Sequence, residues 1–153
     1  MLELARQRLA HVSTRVNDLP PLESADLAER VEIKPQVVSA VLSHHYCCPE
    51  ARRAAVQACH DILAAGGVFI TVECIALRTE MGTQIGLQRW KWAQMRMGRA
   101  EDVVDAHLAR LGTKVLPITV EAHIQLLSDV GFQTVEVFWL NHMQAGLYGI
   151  KRT

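Results

Sequence analysis

The central part of the chain holds two apolar segments that flank a helical segment ending in a glycine pair. VVSAVL (37–42) is an unbroken run rich in β-branched residues, which is typical of a strand buried on both faces. Alanine, isoleucine and leucine recur at helical spacing over residues 51–65, with Pro49 before the first turn and Gly66-Gly67 after the last. VFITVE (68–73) predicts a second buried strand. This order predicts a parallel strand–helix–strand unit with a right-handed crossover.

The flanking segments predict the rest of one α/β domain. The short connection between the apolar runs 134–140 and 147–151 allows an antiparallel pair and leaves no room for a parallel crossover. Residues 119–130 predict a helix that precedes this pair. The chain is thus predicted to be a single domain over 1–153 with four parts: a helix at 1–12, the strand–helix–strand unit at 37–73, a helical insertion at 79–112, and a helix with a terminal strand pair at 119–151.

Composition excludes several classes of protein. The 153 residues are half apolar and carry 16 basic and 16 acidic side chains, so no basic face for nucleic acid is expected. No run of about 18 apolar residues appears, and the first residues lack the apolar core of a signal peptide, so we expect a cytoplasmic protein with no membrane span. Four cysteines do not make a disulfide framework and are expected to be reduced.

Three stretches together resemble a known family. VVSAVLSHHY, ARRAAVQACHDILAAGGVFITVE and ITVEAHIQLLSDVGFQTVEVFWLNHMQAGLYGIK are similar to the C-terminal half of class I S-adenosylmethionine-dependent methyltransferases of the small-molecule type. MLELARQRL resembles the helix that follows the second strand of that family. The resemblance implies a truncated Rossmann-like α/β fold. Its sheet would be mostly parallel, built from the family's fourth, fifth, seventh and sixth strands, with an antiparallel last strand and a helical insertion.

The departure from the family is equally specific. The Gly-rich loop after the family's first strand and the acidic residue that binds the cofactor ribose have no counterpart in these 153 residues. The glycines let the backbone approach the cofactor, and the carboxylate holds the ribose hydroxyls. We therefore expect the chain to start where the cofactor half of the fold has ended. Alone, it should bind S-adenosylmethionine weakly or not at all.

The polar turn after the first strand is the main candidate site. Ligands of open α/β sheets bind outside the carboxyl ends of the strands. The resemblance places Leu42, Ser43 and His44 near the methionine part of the cofactor, and His45 and Tyr46 towards the acceptor as catalytic residues. Histidine is also the side chain best suited to proton transfer near neutral pH. The alternative is a polar helix-entry turn without chemistry.

Other candidates lie elsewhere in the chain. The resemblance suggests an adenine contact for Asp18, although a turn-forming aspartate is the competing interpretation. Trp90 in the insertion and His142 between the last strands are candidate acceptor-binding residues, and packing is the alternative for both. HHYCC (44–48) holds zinc-type ligands, but adjacent residues rarely point at one ion and no second pair supports them, so no metal is expected.

Three hypotheses of function follow. The first is methyl transfer from S-adenosylmethionine to an unknown small molecule, with the missing cofactor half supplied either by another chain or by a preceding segment of a longer protein of which this sequence is a fragment. The second is a non-catalytic α/β remnant that serves as an assembly or binding module, and the third is a small metal-binding module. Because the strand at 37–42 lacks its usual neighbour, the sequence also predicts a homodimer that pairs or covers this edge.

Overall fold

The computed structural model describes residues 34–153. The predicted helix at 1–12 and the candidate residue Asp18 lie outside this range. The described part contains one mixed sheet of four strands in the order β1-β2-β4-β3. The strands are β1 (Val37–Val41), β2 (Val68–Cys74), β3 (Phe132–Asn141) and β4 (Gln144–Lys151).

The direction of the strands confirms the predicted fold class. β1 pairs with β2 in parallel, and β4 lies antiparallel between β2 and β3. Three of the four strands therefore run the same way and only the last is reversed. This is the arrangement of the family's fourth, fifth, seventh and sixth strands that the resemblance implies.

Within residues 34–153, four α-helices and one short 3-10 turn are found. The turn is a 3-10 helix at His44–Tyr46, directly after β1. The α-helices are α1 (Pro49–Ile62), α2 (Glu80–Arg96), α3 (Glu101–Leu108) and α4 (Val120–Val130). The Thr119 hydroxyl accepts a hydrogen bond from Ala122 N at 3.1 Å and begins α4. Gly131, at φ 116°, ends it. None of the helices described is long and apolar enough to cross a membrane.

The main apolar core lies between one face of the sheet and helices α1 and α4. Its largest fully buried members are Leu63, Phe69, Ile75, Leu127 and Leu147. They come from α4, from β2 and β4, and from the residues that directly follow α1 and β2, so burial of this face joins the parallel unit to the terminal strand pair. Burying each such side chain stabilises the fold by about 1.5–3 kcal/mol.

β1 differs from its prediction as a strand buried on both faces. Val38 and Ala40 pack against the core, but Val37 and Val41 point the other way and are 56% and 59% exposed. Among residues 34–153, β1 has β2 on one side and no strand on the other. Because β1 is an edge strand with only one packed face, its side chains alternate between partly buried and exposed, although nearly all of them are apolar.

The insertion packs as a helix pair beside the carboxyl ends of β1 and β2. The rings of Trp90 in α2 and His107 in α3 meet edge to face with centroids 5.3 Å apart. Trp90 also belongs to a second apolar cluster with Cys74, Val115 and Met143. Lys91 forms ion pairs with acidic side chains of α3. The second cluster anchors the insertion to the end of β2 and to the β3–β4 turn.

Candidate functional site

A buried carboxylate organises the carboxyl ends of the two parallel strands. Glu73, near the end of β2, is fully buried and accepts four hydrogen bonds. Its Oε1 accepts from Thr71 Oγ1 at 2.8 Å and from His44 N at 3.3 Å. Its Oε2 accepts from His45 N at 3.0 Å and lies 2.7 Å from His45 Nδ1. Four bonds use the lone pairs that a carboxylate offers, so Glu73 is fully satisfied.

The backbone after β1 is turned so that it can meet Glu73. Leu42 N donates to Val72 O at 2.7 Å, the last bond of the parallel pairing. Leu42 itself has φ 52°, a left-handed conformation that costs a residue with a side chain about 1–2 kcal/mol. The change of direction places the 3-10 turn directly over the end of β2. Bonds from the amides of His44 and His45 to the carboxylate help to offset this strain.

Hydrogen bonding keeps Glu73 ionised and orients the His45 ring. Burial raises the pKa of Glu73, but hydrogen bonds from His45 and Thr71, with the charge of His44, outweigh burial and hold the pKa below its usual value. Because an ionised carboxylate can only accept, the His45 ring donates to it from Nδ1. The amide of Cys74 also approaches Nδ1, at 3.3 Å, and is the weaker of the two contacts. Nε2 is then the ring nitrogen able to accept a proton.

Arg52, in the first turn of α1, joins the 3-10 turn to the segment that follows the insertion. It is 3% exposed. Its Nε donates to His44 O at 3.1 Å, and its Nη2 donates to Cys47 O at 3.2 Å and to Leu116 O. The backbone of Leu116 also donates to His45 O at 2.7 Å. One guanidinium therefore holds two loops in a fixed relation.

A cleft of about 490 Å³ lies beside this network. Cys47, Pro49 and Arg52 form one wall. Side chains of α2 and of residues 111–118, mostly apolar, form the other. This size is within the range of clefts that take small organic ligands. Apolar walls with one buried cation suit a molecule with an apolar body and a polar group.

The structure brings together five of the residues that the sequence predicts. Leu42, Ser43, His44, His45 and Tyr46 are consecutive at the carboxyl end of β1, and His45 is buried while Ser43 is exposed. The Tyr46 ring is half exposed and lies 4.4 Å from the His45 ring. Its hydroxyl is 3.4 Å from Nη2 of Arg110, whose guanidinium lies 5.6 Å from the ring centroid. The roles assigned to these residues stay predictions.

Trp90 and His142 lie away from the turn. Trp90 is buried against His107 in the second apolar cluster and lines neither of the two larger clefts described here. His142, at φ 50°, occupies the turn between β3 and β4. It lines a separate cleft, also of about 490 Å³, with Arg89 and Leu140. The structure thus places the two candidate acceptor residues apart from the turn, and their acceptor role stays a prediction.

Sequence reasoning missed Glu73 and Arg52 as members of the site, and it also missed the buried His123. Glu73 gave a usable signal. An acidic residue near the end of an apolar parallel strand is expected to be buried, and a buried carboxylate without hydrogen-bond partners costs much free energy. Arg52 gave none, since helical periodicity placed it on the polar side of α1. His123 lies on α4, 4% exposed, and its burial depends on elements distant in sequence.

The described residues offer no metal site. Between residues 34 and 153, no group of three histidine, cysteine or acidic side chains is arranged to hold an ion. Burial raises the pKa of the Cys59 thiol to about 11 and also raises that of Cys74, so both stay protonated at neutral pH. Protonated thiols are poor metal ligands.

The chain was compared with known protein families and with curated proteins. No family model matches the chain. It is 25% identical over 118 residues to carboxy-S-adenosyl-L-methionine synthase of Helicobacter hepaticus, a match that covers 76% of this chain and 49% of that protein. The chain thus spans about half the length of the curated relative it matches.

Solved structures extend the likeness to nearly the whole chain. An O-methyltransferase family protein from Burkholderia thailandensis superposes with a TM-score of 0.63 at 11% identity, covering 99% of this chain and 41% of that one. The pyocyanin biosynthetic protein PhzM gives 0.62 at 15% identity, with coverage of 98% and 40%. Human N-acetylserotonin methyltransferase, solved with S-adenosylmethionine, gives 0.52 at 12% identity, with coverage of 78% and 30%.

Strand order, the reversed last strand and these superpositions agree, and they confirm the resemblance found in the sequence. The chain has the fold of the C-terminal part of class I S-adenosylmethionine-dependent methyltransferases.

Proposed function

We propose that this chain takes part in methyl transfer from S-adenosylmethionine to a small-molecule acceptor. The observation that carries the proposal is the 3-10 turn at the carboxyl ends of β1 and β2, held by Glu73 beside an apolar cleft. Ligands of open α/β sheets bind at this edge. The relatives named above support the class of reaction, and the acceptor is a small molecule because the cleft has the size for one.

The described residues fit only part of the cofactor. Ser43 offers an exposed hydroxyl at the end of β1, and the backbone of residues 42–44 lies beside it, which suits the polar methionine end. Glu73 does not suit the ribose, since its four acceptor sites are used inside the protein. Tight binding therefore requires a Gly-rich loop and a ribose-binding carboxylate from a segment not found in these 153 residues.

His45 and Tyr46 then have roles in handling the acceptor. When bound, S-adenosylmethionine supplies an electrophilic methyl group, and the protein mainly positions the acceptor. Glu73 holds His45 with Nδ1 protonated, which leaves Nε2 to take a proton from the acceptor. Tyr46 supplies an aromatic surface on the acceptor side. We place this activity in the cytoplasm, which the free thiols of the four described cysteines support.

A titration with S-adenosylhomocysteine tests the proposed cofactor position. Amide NMR shifts of the chain alone should respond first at Ser43 and His44, with a dissociation constant in the millimolar range or above, because several buried polar contacts of about 1–3 kcal/mol each are missing. Gln125, exposed on α4, is a matched reporter that should not shift. Shifts centred elsewhere would contradict the position, and a micromolar constant would contradict the need for a further segment.

We also propose that a second copy of this chain covers the β1 edge. Val37 and Val41 are exposed on a strand that has one described neighbour and contains no charge or proline. Val41→Lys should shift sedimentation from dimer to monomer, while Gln125→Lys on α4 should not. Val38 packs into the core, so lysine there would test stability instead. A wild-type monomer at about 50 μM would exclude this interface.

A further inference from the structure

His123 is a buried polar side chain with an unsatisfied atom. It lies on α4, is 4% exposed, and its Nε2 has no hydrogen-bond partner among residues 34–153. Leaving a buried polar atom unpaired costs about 1–3 kcal/mol, so native structures usually provide a partner. None of the roles proposed above uses this residue.

The His123 side chain lines a small cavity. The cavity holds about 10 Å³, close to the space that one water molecule needs. Val56, Leu126 and Leu127 form its apolar part. Polar groups form the remainder, and these are His44, Arg52, Thr71, Glu73 and His123.

The hydrogen bonds already formed limit which lining groups can bind a small molecule in this cavity. Glu73 has no acceptor site left, and Arg52 uses three of its five N–H groups on backbone carbonyls. Thr71 donates its single proton to Glu73, so its hydroxyl oxygen keeps lone pairs for a further donor. The His44 ring adds a third polar group. The groups open to a guest are therefore the Thr71 hydroxyl, the rings of His123 and His44, and the two N–H groups of Arg52 that these bonds leave over.

We propose that this cavity binds one structural water molecule, which bridges His123 Nε2, the Thr71 hydroxyl and the His44 ring. Water is the ligand that fits both the volume and the mixture of donors and acceptors. A dry cavity of this size would be apolar, and this one has five polar side chains on its wall. Through the water, His123 becomes a positioning residue that connects α4 to the end of β2 and to the turn after β1.

Direct detection tests the water itself. In a crystal structure at about 1.8 Å resolution we expect one ordered water at about 2.7–3.2 Å from His123 Nε2 and from Thr71 Oγ1. In solution, the ring protons of His123 should give a cross-relaxation signal to a long-lived water. An empty cavity, or a His123 ring turned to solvent or bonded directly to protein, would overturn the proposal.

A double-mutant cycle tests the connection. His123→Leu and Thr71→Val should each lower the folding equilibrium constant by about tenfold. If both hold the same water, the double variant should lose about fivefold less than the product of the two. His123→Leu combined with Thr79→Ala, at the start of α2, is the control and should be multiplicative. A multiplicative result for the first pair would reject the bridge, and the wild-type water signal decides the question if a variant fails to fold.

Discussion

The turn after β1 and the helical insertion lie side by side, but different interactions stabilise them. The turn is held by buried polar groups, each bond of Glu73 and Arg52 having an identified partner. The insertion exposes large apolar side chains, with Trp92 67% and Met97 86% exposed. A saturated polar network specifies one geometry, whereas an apolar surface adapts to whatever covers it. The chain thus fixes its candidate chemistry and leaves the insertion free to meet a partner or ligand.

Removal of the central carboxylate should give the largest effect. Glu73→Ala leaves two backbone amides, the Thr71 hydroxyl and the His45 ring without their acceptor. We expect a loss of about 3–5 kcal/mol in the free energy of unfolding, measured by urea denaturation. Glu136→Ala, an exposed position on β3, is the matched control and should change little. A similar small loss at Glu73 would show that the turn is held by other contacts.

Acid should weaken the network in two pH windows. Burial lowers the pKa of His123 from 6.5 to about 4, with the charges of Arg52, His44 and His45 adding to burial and that of Glu73 opposing it. The unfolded chain therefore binds the proton first, and stability should fall between about pH 6.5 and 4, by about 3 kcal/mol in total. Glu73, whose pKa is depressed, adds a further loss as the pH falls below 4.5.

A variant separates the two windows. His123→Phe removes the first titration, so the slope of unfolding free energy between about pH 6.5 and 4.5 should flatten while the loss at lower pH stays. His44, whose burial also lowers its pKa, keeps part of the slope. An unchanged slope in the variant would mean that His123 does not stay neutral in the folded protein.

The smallest effect is expected at the ion pairs of the insertion. The partly exposed Lys91 contacts the exposed side chains of Glu101 and Asp105 in α3, where water and salt screen the charges. Lys91→Ala should leave the midpoint of thermal unfolding within the error of calorimetry. A clear decrease would show that polar contacts also hold the insertion, and the contrast between the two regions would then be weaker.

The sheet was predictable because its signals are local. The apolar run at 37–42, the helix, the glycine pair and the second apolar run follow each other in sequence, and the short last connection requires an antiparallel pair. The turn at residues 42–46 was predictable for the same reason. Its position follows from the end of a parallel strand.

The partners of the turn were not predictable by the same route. His123 is about 50 residues beyond Glu73 in sequence, and its burial depends on how α4 packs across the sheet. Arg52 has a polar position by helical spacing and becomes buried because the loop at Leu116 lies over it. Trp90 was ambiguous, since aromatic residues occur both in lids and in cores. Only tertiary packing settles such cases.

The shared guanidinium of Arg52 has a mechanical consequence. It donates to His44 O and Cys47 O in the turn and to Leu116 O beyond the insertion, and Leu116 in turn donates to His45 O. Neither loop can shift by an ångström without losing a bond to the other. One wall of the cleft and the turn that carries His45 are therefore mechanically coupled. We expect that a molecule entering the cleft would displace both together rather than one alone.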